Sequence, residues 1–256
     1  MKLALLAFGP LLAAGLTGTR LTTPATPPPA AVPVVVELFT SEGCSSCPAA
    51  DEVARSLEAS QPVPGAEIIV LGEHVDYWNR LGWKDPFSAA AFSERQRQYA
   101  DVFPAGSYTP QAVVNGRYEL VGSRRAELTQ RIAEAARAPR AAVVLSRPTA
   151  TTLAVRVGSL PPGTPATEVL LALTETGLAT QVGRGENVGR LLHHAAVVRA
   201  LRPLGAVGTN GTFAATVPLV LGAGWQPAHL RAVILVQERA SRRVVGVGTL
   251  PLALAN

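Results

Sequence analysis

An apolar, β-branched run, Val32 to Phe39, leads straight into "TSEGCSSCPAAD", residues 40–51. That segment holds the only two cysteines of the 256-residue chain, Cys44 and Cys47. The run has the character of a buried strand. The stretch "CPAADEVARSLEAS" then sets Ala50, Val53, Ala54 and Leu57 on one helical face. A strand that ends in two thiols at the mouth of a helix restricts the fold sharply. Cysteines at i and i+3 around a first helical turn can close a small disulfide ring. The unpaired N–H groups and partial positive charge there stabilise a thiolate. Pro48, early in the helix, loses little by lacking an N–H.

The next strand-like run is "AEIIVLGEHV", residues 66–75. With a helix between it and the first, the pair predicts a right-handed parallel β-α-β unit. An aromatic loop, "DYWNRLGWKDPF", leads to a predicted helix, "SAAAFSERQRQYADVF", with Ser88 as its N-cap. "YTPQAVVNGRYELVGS" reads as two strands joined by an Asn115-Gly116 turn, and "SRRAELTQRIAEAARA" as a closing helix. From Arg140 onward the pattern changes. Short runs of Val, Leu and Thr, such as "TTLAVRVGSL" and "EVLLALTETG", alternate with Gly and Pro. These predict an antiparallel β-sandwich, in which "LLHHAAVVRAL" is the one stretch with helical character.

The order β-α-β-α-β-β-α with a Cys-x-x-Cys after the first strand is the thioredoxin plan. The expected fold class is therefore an α/β thioredoxin-like N-terminal domain followed by an all-β sandwich-like C-terminal domain. The expected boundaries are 32–139 for the first and 140–256 for the second. Residues 1–31 read as a signal peptide and Pro-rich linker. There Lys2 precedes the apolar "LALLAFGPLLAAGL", too short to span a bilayer comfortably, and "TPATPPPAAVP" follows. The alternative for that stretch is an uncleaved membrane anchor. The expected location is periplasmic or secreted, where a cysteine pair meets oxidising conditions, with no stable membrane insertion after signal cleavage. The net charge is +5, but the arginines are scattered and no basic stripe carries interleaved aromatics. Nucleic acid is therefore not an expected partner.

In this plan the third strand runs antiparallel to the first, so Thr109-Pro110 falls at the sheet edge that carries the cysteines. A proline there is typically cis in thioredoxin-like proteins, and a cis bond is expected here. It would turn the Thr109 backbone toward the cysteines, where an extended substrate segment can pair with it. Cys44 is assigned as the more exposed, attacking thiol and Cys47 as the resolving thiol. The end of the second strand brings "EHVDYW", residues 73–78, to the same edge. Asp76 has two roles open: a proton relay to Cys47 through water, or a turn cap. His74 is a second relay candidate. Trp78 and Trp83 read either as an apolar floor or as loop packing. Glu42 raises the energy of a Cys44 thiolate unless it points away.

"VVELFTSEGCSSCPAAD", "HVDYWNRLGWKDPF" and "YTPQAVVNGRYELVGS" together resemble a bacterial family of secreted thioredoxin-like proteins, domain of unknown function number twelve twenty-three. "GRGENVGRLLHHAAVVRAL", residues 183–201, is similar to a further shared block of that family. The resemblance implies a thioredoxin-like first domain with Cys44 and Cys47 as redox cysteines; it supplies no substrate. In the shared block, a structured loop of the sandwich, with packing against the cysteine edge open to it, is preferred over a phosphate cradle or a metal site at His193-His194. The leading function is a thiol–disulfide oxidoreductase acting on protein or small-molecule thiols and disulfides, with no cofactor and no metal. One alternative is Cu(I) binding by the two thiolates. A closed zinc site would need two more ligands, with His74, His193, His194 and His229 as candidates. The other alternative is a thioredoxin-like adaptor without redox turnover. A four-residue disulfide ring is a poor staple, which counts against it.

Overall fold

The computed structural model describes residues 31–253. The expected signal segment and most of the expected Pro-rich linker lie outside the described residues. The first half runs β1 (Val32–Thr40), α1 (Cys47–Ser60), β2 (Ala66–His74), α2 (Ala90–Ala100), β3 (Gln111–Val114), β4 (Tyr118–Val121) and α3 (Arg125–Ala135). The second half has no α-helix among the described residues and begins with β5 (Val143–Thr149), β6 (Thr152–Val157), β7 (Thr167–Glu175), β8 (Ala179–Gln181) and β9 (Leu191–His193). It ends with β10 (Val197–Ala206), β11 (Phe213–Pro218), β12 (Leu230–Glu238) and β13 (Val244–Pro251). No helix among the described residues is long and apolar enough to cross a membrane.

The expected division into a thioredoxin-like α/β domain and a separate β-sandwich is overturned. One eight-stranded mixed sheet, in the order β13-β12-β7-β10-β2-β1-β3-β4, runs through both halves. Strands make up 39% of the described residues and helices 19%, so this part of the chain is mostly β and its three α-helices decorate a shared sheet. The cause is an edge left open by the first half. β2 pairs with β1 on one side only, yet its residues Ile68 to His74 are buried. β10 covers the other side in parallel, with Val197 opposite Gly72. The Gly72 N–H donates to the Ala196 carbonyl at 2.7 Å. A Cβ at Gly72 would lie 3.1 Å from that oxygen, so the close approach suits a residue without a side chain. "LLHHAAVVRAL" is therefore strand, not helix: Val197 and Val198 are buried between β2 and β7.

The register explains the layers. Val34, Val36 and Leu38 of β1 and Ile68 and Val70 of β2 face α1 and α3. Gly72 shares their side of β2, and through Val197 and Glu175 the same side continues to Val169, Leu171 and Leu173 of β7. There the three-stranded sheet β11-β6-β5 covers it, with Leu153, Val155 and Val157 of β6 in the same core. The opposite face carries α2. Phe92 packs there with Val35, Ile69, Leu71, Val198, Val233 and Leu235, residues from both halves. The Asn115-Gly116 turn forms as expected, with φ of 46° and 59°. It also stitches the halves: Val35 N–H donates to Asn115 Oδ1 at 2.8 Å and Val244 N–H to the Asn115 carbonyl at 2.9 Å. Ser88 is not the N-cap of α2; its hydroxyl donates to the Asp85 carbonyl and the cap position is Ala89.

A buried polar network sits between α2 and the sheet. Arg95 and Tyr99 both hydrogen-bond Glu37 of β1. Arg95 also reaches Gln237 of β12 at 3.2 Å and lies 3.5 Å from Glu73 of β2. Burial, and then the Glu37 carboxylate, hold the Glu73 carboxyl well above its usual range against the opposing pull of Arg95. Arg95→Met removes the cation and leaves Glu37 buried without it, and denaturant titration is expected to show a loss of about 3–5 kcal/mol. Glu73→Gln copies the protonated acid and is expected to cost little near pH 4. With the folded pKa raised, wild-type stability falls as pH climbs above the unfolded value near 4.5. The variant should therefore gain on the wild type by on the order of 1 kcal/mol per pH unit in that window. A pH-independent difference between the two would contradict a raised Glu73.

Candidate functional site

β1 and β2 are parallel and end at Thr40 and His74, while antiparallel β3 begins at Gln111. The loop after β1, the loop after β2 and Thr109-Pro110 consequently collect at one sheet edge. Cys44 and Cys47 form a disulfide there, with their Cα atoms 5.4 Å apart. α1 starts at Cys47 with Pro48 in its first turn, and the Cys47 N–H donates to the Cys44 carbonyl at 3.2 Å. The Thr109-Pro110 bond is cis, as expected. Trp78 links the two segments. Its Nε1 donates to Thr109 Oγ1 at 2.9 Å, and its Cβ lies 3.3 Å from where a Cβ on Gly43 would stand. Trp83 Nε1 donates to Glu42 Oε2 at 2.6 Å. The Glu42 carboxylate is thus engaged by Trp83.

Cys44 is not the more exposed thiol: both cysteines are 1% exposed, and only Ser45 and Ser46 between them face solvent. The loop 183–190, "GRGENVGR", from the second half is bonded to the backbone of this turn. Asn187, fully buried, donates from Nδ2 to the carbonyls of Glu42 and Cys44, each at 2.9 Å. Glu186 accepts from the Ser45 N–H at 2.9 Å, and hydrogen bonds from Ser45 hold its carboxyl below the usual range. Trp83 abuts the loop, its Cζ3 lying 3.1 Å from where a Cβ on Gly183 would be. The block is a loop, but it belongs to the cysteine edge rather than to a separate sandwich.

Asp76 is half-buried, and its hydrogen bonds run to α2. Its N–H donates to Ser93 Oγ at 3.0 Å, and the Ser93 hydroxyl donates to Asp76 Oδ1 at 2.5 Å. These bonds tie Asp76 to α2. His74 turns below the cysteine loop, with Nδ1 2.6 Å from Asp85 Oδ2. Burial works against its charged form, but Asp85, Asp51 and Glu42 outweigh that and raise its pKa. Burial likewise opposes ionisation of Asp85, yet His74 and the N–H groups of Glu42 and Phe87 hold its pKa down. Asp51, one turn beyond Cys47, accepts from Thr40 Oγ1 at 2.7 Å and from the Ala195 N–H at 3.3 Å. His194 Nε2 lies 3.0 Å from Glu42 Oε1. Its neighbour His193 is exposed, since adjacent residues face opposite ways.

Sequence reading therefore found Cys44, Cys47, Thr109 and Pro110 at the edge but missed Asp51, Asp85, Asn187 and the placement of His194. Asp51 carried a usable signal, because a residue four after Cys47 shares its helical face. Asn187 and His194 carried none until the position of β10 was known.

No curated protein matches the chain. Among solved structures, that of a protein from Agrobacterium tumefaciens is similar, with a TM-score of 0.71 and 27% identity over 88% of this chain and 97% of that one. HBP35 of Porphyromonas gingivalis is similar with a TM-score of 0.63 and 16% identity, over 87% of this chain and 76% of that one. At that identity the likeness is one of fold alone. The family described as "Protein of unknown function (DUF1223)" matches residues 35–237, from within β1 to within β12, and the chain belongs to that family.

Proposed function

We propose that the protein is a thiol–disulfide oxidoreductase of a compartment outside the cytoplasm, cycling Cys44 and Cys47 against protein or small-molecule thiols and disulfides. The observation that carries this is the disulfide between Cys44 and Cys47 at the mouth of α1. A ring closed over so few residues restricts the unfolded chain little, so stapling is a weak reason for it. At a helix N-terminus the dipole favours a released thiolate. The apolar N-terminal stretch and the pair itself support the compartment.

In the oxidising direction a substrate thiolate attacks Cys44 Sγ. The Cys44–Cys47 bond breaks, Cys47 leaves as thiolate, and a mixed disulfide joins Cys44 to the substrate. A second substrate thiolate attacks the substrate sulfur of that bond and releases Cys44. The substrate dithiol loses two electrons, and the cysteine pair gains them with the two protons. The reducing direction is the reverse, with Cys44 attacking a substrate disulfide and Cys47 resolving the intermediate.

At 1% exposure neither sulfur is open to a protein substrate until the loop 183–190 lifts. Asn187 holds the loop with its two donated bonds and accepts one from Arg190 at 2.7 Å. Each is worth about 1 kcal/mol net. Asn187→Ala is therefore expected to speed reduction of the pair by dithiothreitol at least about tenfold, read by timed alkylation; an unchanged rate would show that the loop does not limit access. In glutathione buffers the pair should titrate as a reversible two-electron couple. Cys47→Ser should accumulate a Cys44 mixed disulfide with a substrate disulfide. A pair reducible only once the chain unfolds would rule out the oxidoreductase.

A further inference from the structure

Beneath the disulfide lies a cluster that the redox reading does not use. Asp51, His74 and His194 each offer a ligand atom, and these atoms lie within 4.8 Å of one another. All three residues are buried, at 4%, 1% and 5% exposure. Together with Glu42 they line a cavity of about 10 Å³, room for one water-sized atom. His74 Nε2 is buried with no hydrogen-bond partner, and Glu42 Oε1 makes no hydrogen bond although His194 Nε2 lies 3.0 Å away. Leaving a buried polar atom unsatisfied costs about 1–3 kcal/mol. From this arrangement we infer that the protein holds one divalent transition-metal ion of the zinc type, bound by His74 Nε2, an imidazole nitrogen of His194 and the Asp51 carboxylate, with Glu42 as the fourth donor.

The donor set argues for the class of ion. Two imidazoles with carboxylate oxygens suit zinc and its neighbours, whereas calcium and magnesium take oxygen alone. The spacing suits it too. Three atoms within 4.8 Å of one another share a point no more than about 2.8 Å from each (4.8 Å divided by √3). Zinc–nitrogen bonds are about 2.0–2.1 Å, so closure needs shifts below about 1 Å. Asp85 supplies the outer support. Its Oδ2 lies 2.6 Å from His74 Nδ1, and Asp85 is itself held by the N–H groups of Glu42 and Phe87 at 2.9 Å each. A proton kept on Nδ1 by a carboxylate leaves the Nε2 lone pair free for a metal. Charge points the same way: three buried carboxyl groups, Glu42, Asp51 and Asp85, face two imidazoles, and a doubly positive ion offsets the imbalance.

The inference is independent of the redox function and is tested on the oxidised chain, in which neither sulfur is a free thiolate. Zinc ion alone, titrated in competition with a chromogenic chelator, is expected to bind at one equivalent per chain and to raise the melting temperature. Asp85→Asn, a positioning change, should weaken binding about 10–100-fold. His194→Gln should abolish both the binding and the thermal shift; Asp51→Asn serves the same purpose should that variant not fold. Cobalt(II) in place of zinc should give tetrahedral visible bands without a thiolate charge-transfer band. Absence of saturable zinc binding by the oxidised wild type would overturn the inference. So would binding that survives in the folded His194 or Asp51 variants, or a thiolate band with cobalt.

Discussion

The contact on which the rest of the structure depends is the seam between β2 and β10. It consists of little backbone: one register pair, Val197 with Gly72, and the bond from Gly72 N–H to Ala196 O. A single hydrogen bond contributes only about 1 kcal/mol net. The apolar packing across the seam does more. Val198 lies in one cluster with Val35, Ile69 and Phe92 of the first half and Val233 and Leu235 of the second. Burial of such side chains stabilises by about 1.5–3 kcal/mol each. The seam also fixes the chain just before β10. His194 and Ala195 must then lie over the end of α1, and Asn187 reaches residues more than 140 positions earlier in the sequence. The cysteine edge is thus completed by the second half.

Two buried polar systems flank this seam, and each keeps buried oxygen or nitrogen atoms without a hydrogen-bond partner. Around Arg95, the guanidinium meets Glu37, Tyr99 and Gln237 and fixes α2 against strands of both halves, while both Glu73 carboxyl oxygens lack a partner. Buried ion pairs of this kind contribute little net stability but penalise any other arrangement. Around His74, its Nε2 is left over and Glu42 Oε1 has only His194 Nε2 at 3.0 Å. What sets this cluster apart is its donor set, two imidazoles beside buried carboxyl groups, which suits a metal ion rather than packing.

Much of the local structure was legible in the sequence. The β1 run, the helix that begins at Cys47, the parallel β2 and the Asn115-Gly116 hairpin follow from periodicity and turn chemistry. The cis Thr109-Pro110 bond followed from plan and position. The partner of β2 did not, because alternation tells that a segment is a strand and not which strand lies beside it. A hint was present: Ile68 to Leu71 is apolar on both faces, and Gly72 interrupts it, as a strand with neighbours on both sides and a close backbone approach would require. Segregation of helices and strands along the chain favoured two domains, and long-range pairing overrode it. Asp76 was chosen for nearness to the strand end. The loop instead turns it onto Ser93 and brings in Asp85, eleven residues beyond His74, a choice made by loop conformation that no residue pattern encodes.

The loop bonded to the cysteine turn has a consequence for the proposed chemistry. The loop 183–190 is anchored on the backbone of the redox segment itself, on the carbonyls of Glu42 and Cys44 and the N–H of Ser45. Those groups belong to the turn that the disulfide closes. If opening the loop changes how readily the pair is reduced, then reducing the pair must change how readily the loop opens, by the same free energy. Trp78 stands between Gly43 and Thr109, to whose hydroxyl its indole donates. For the proposed oxidoreductase, selectivity would then rest on what can displace Asn187 and Glu186 from the backbone they hold.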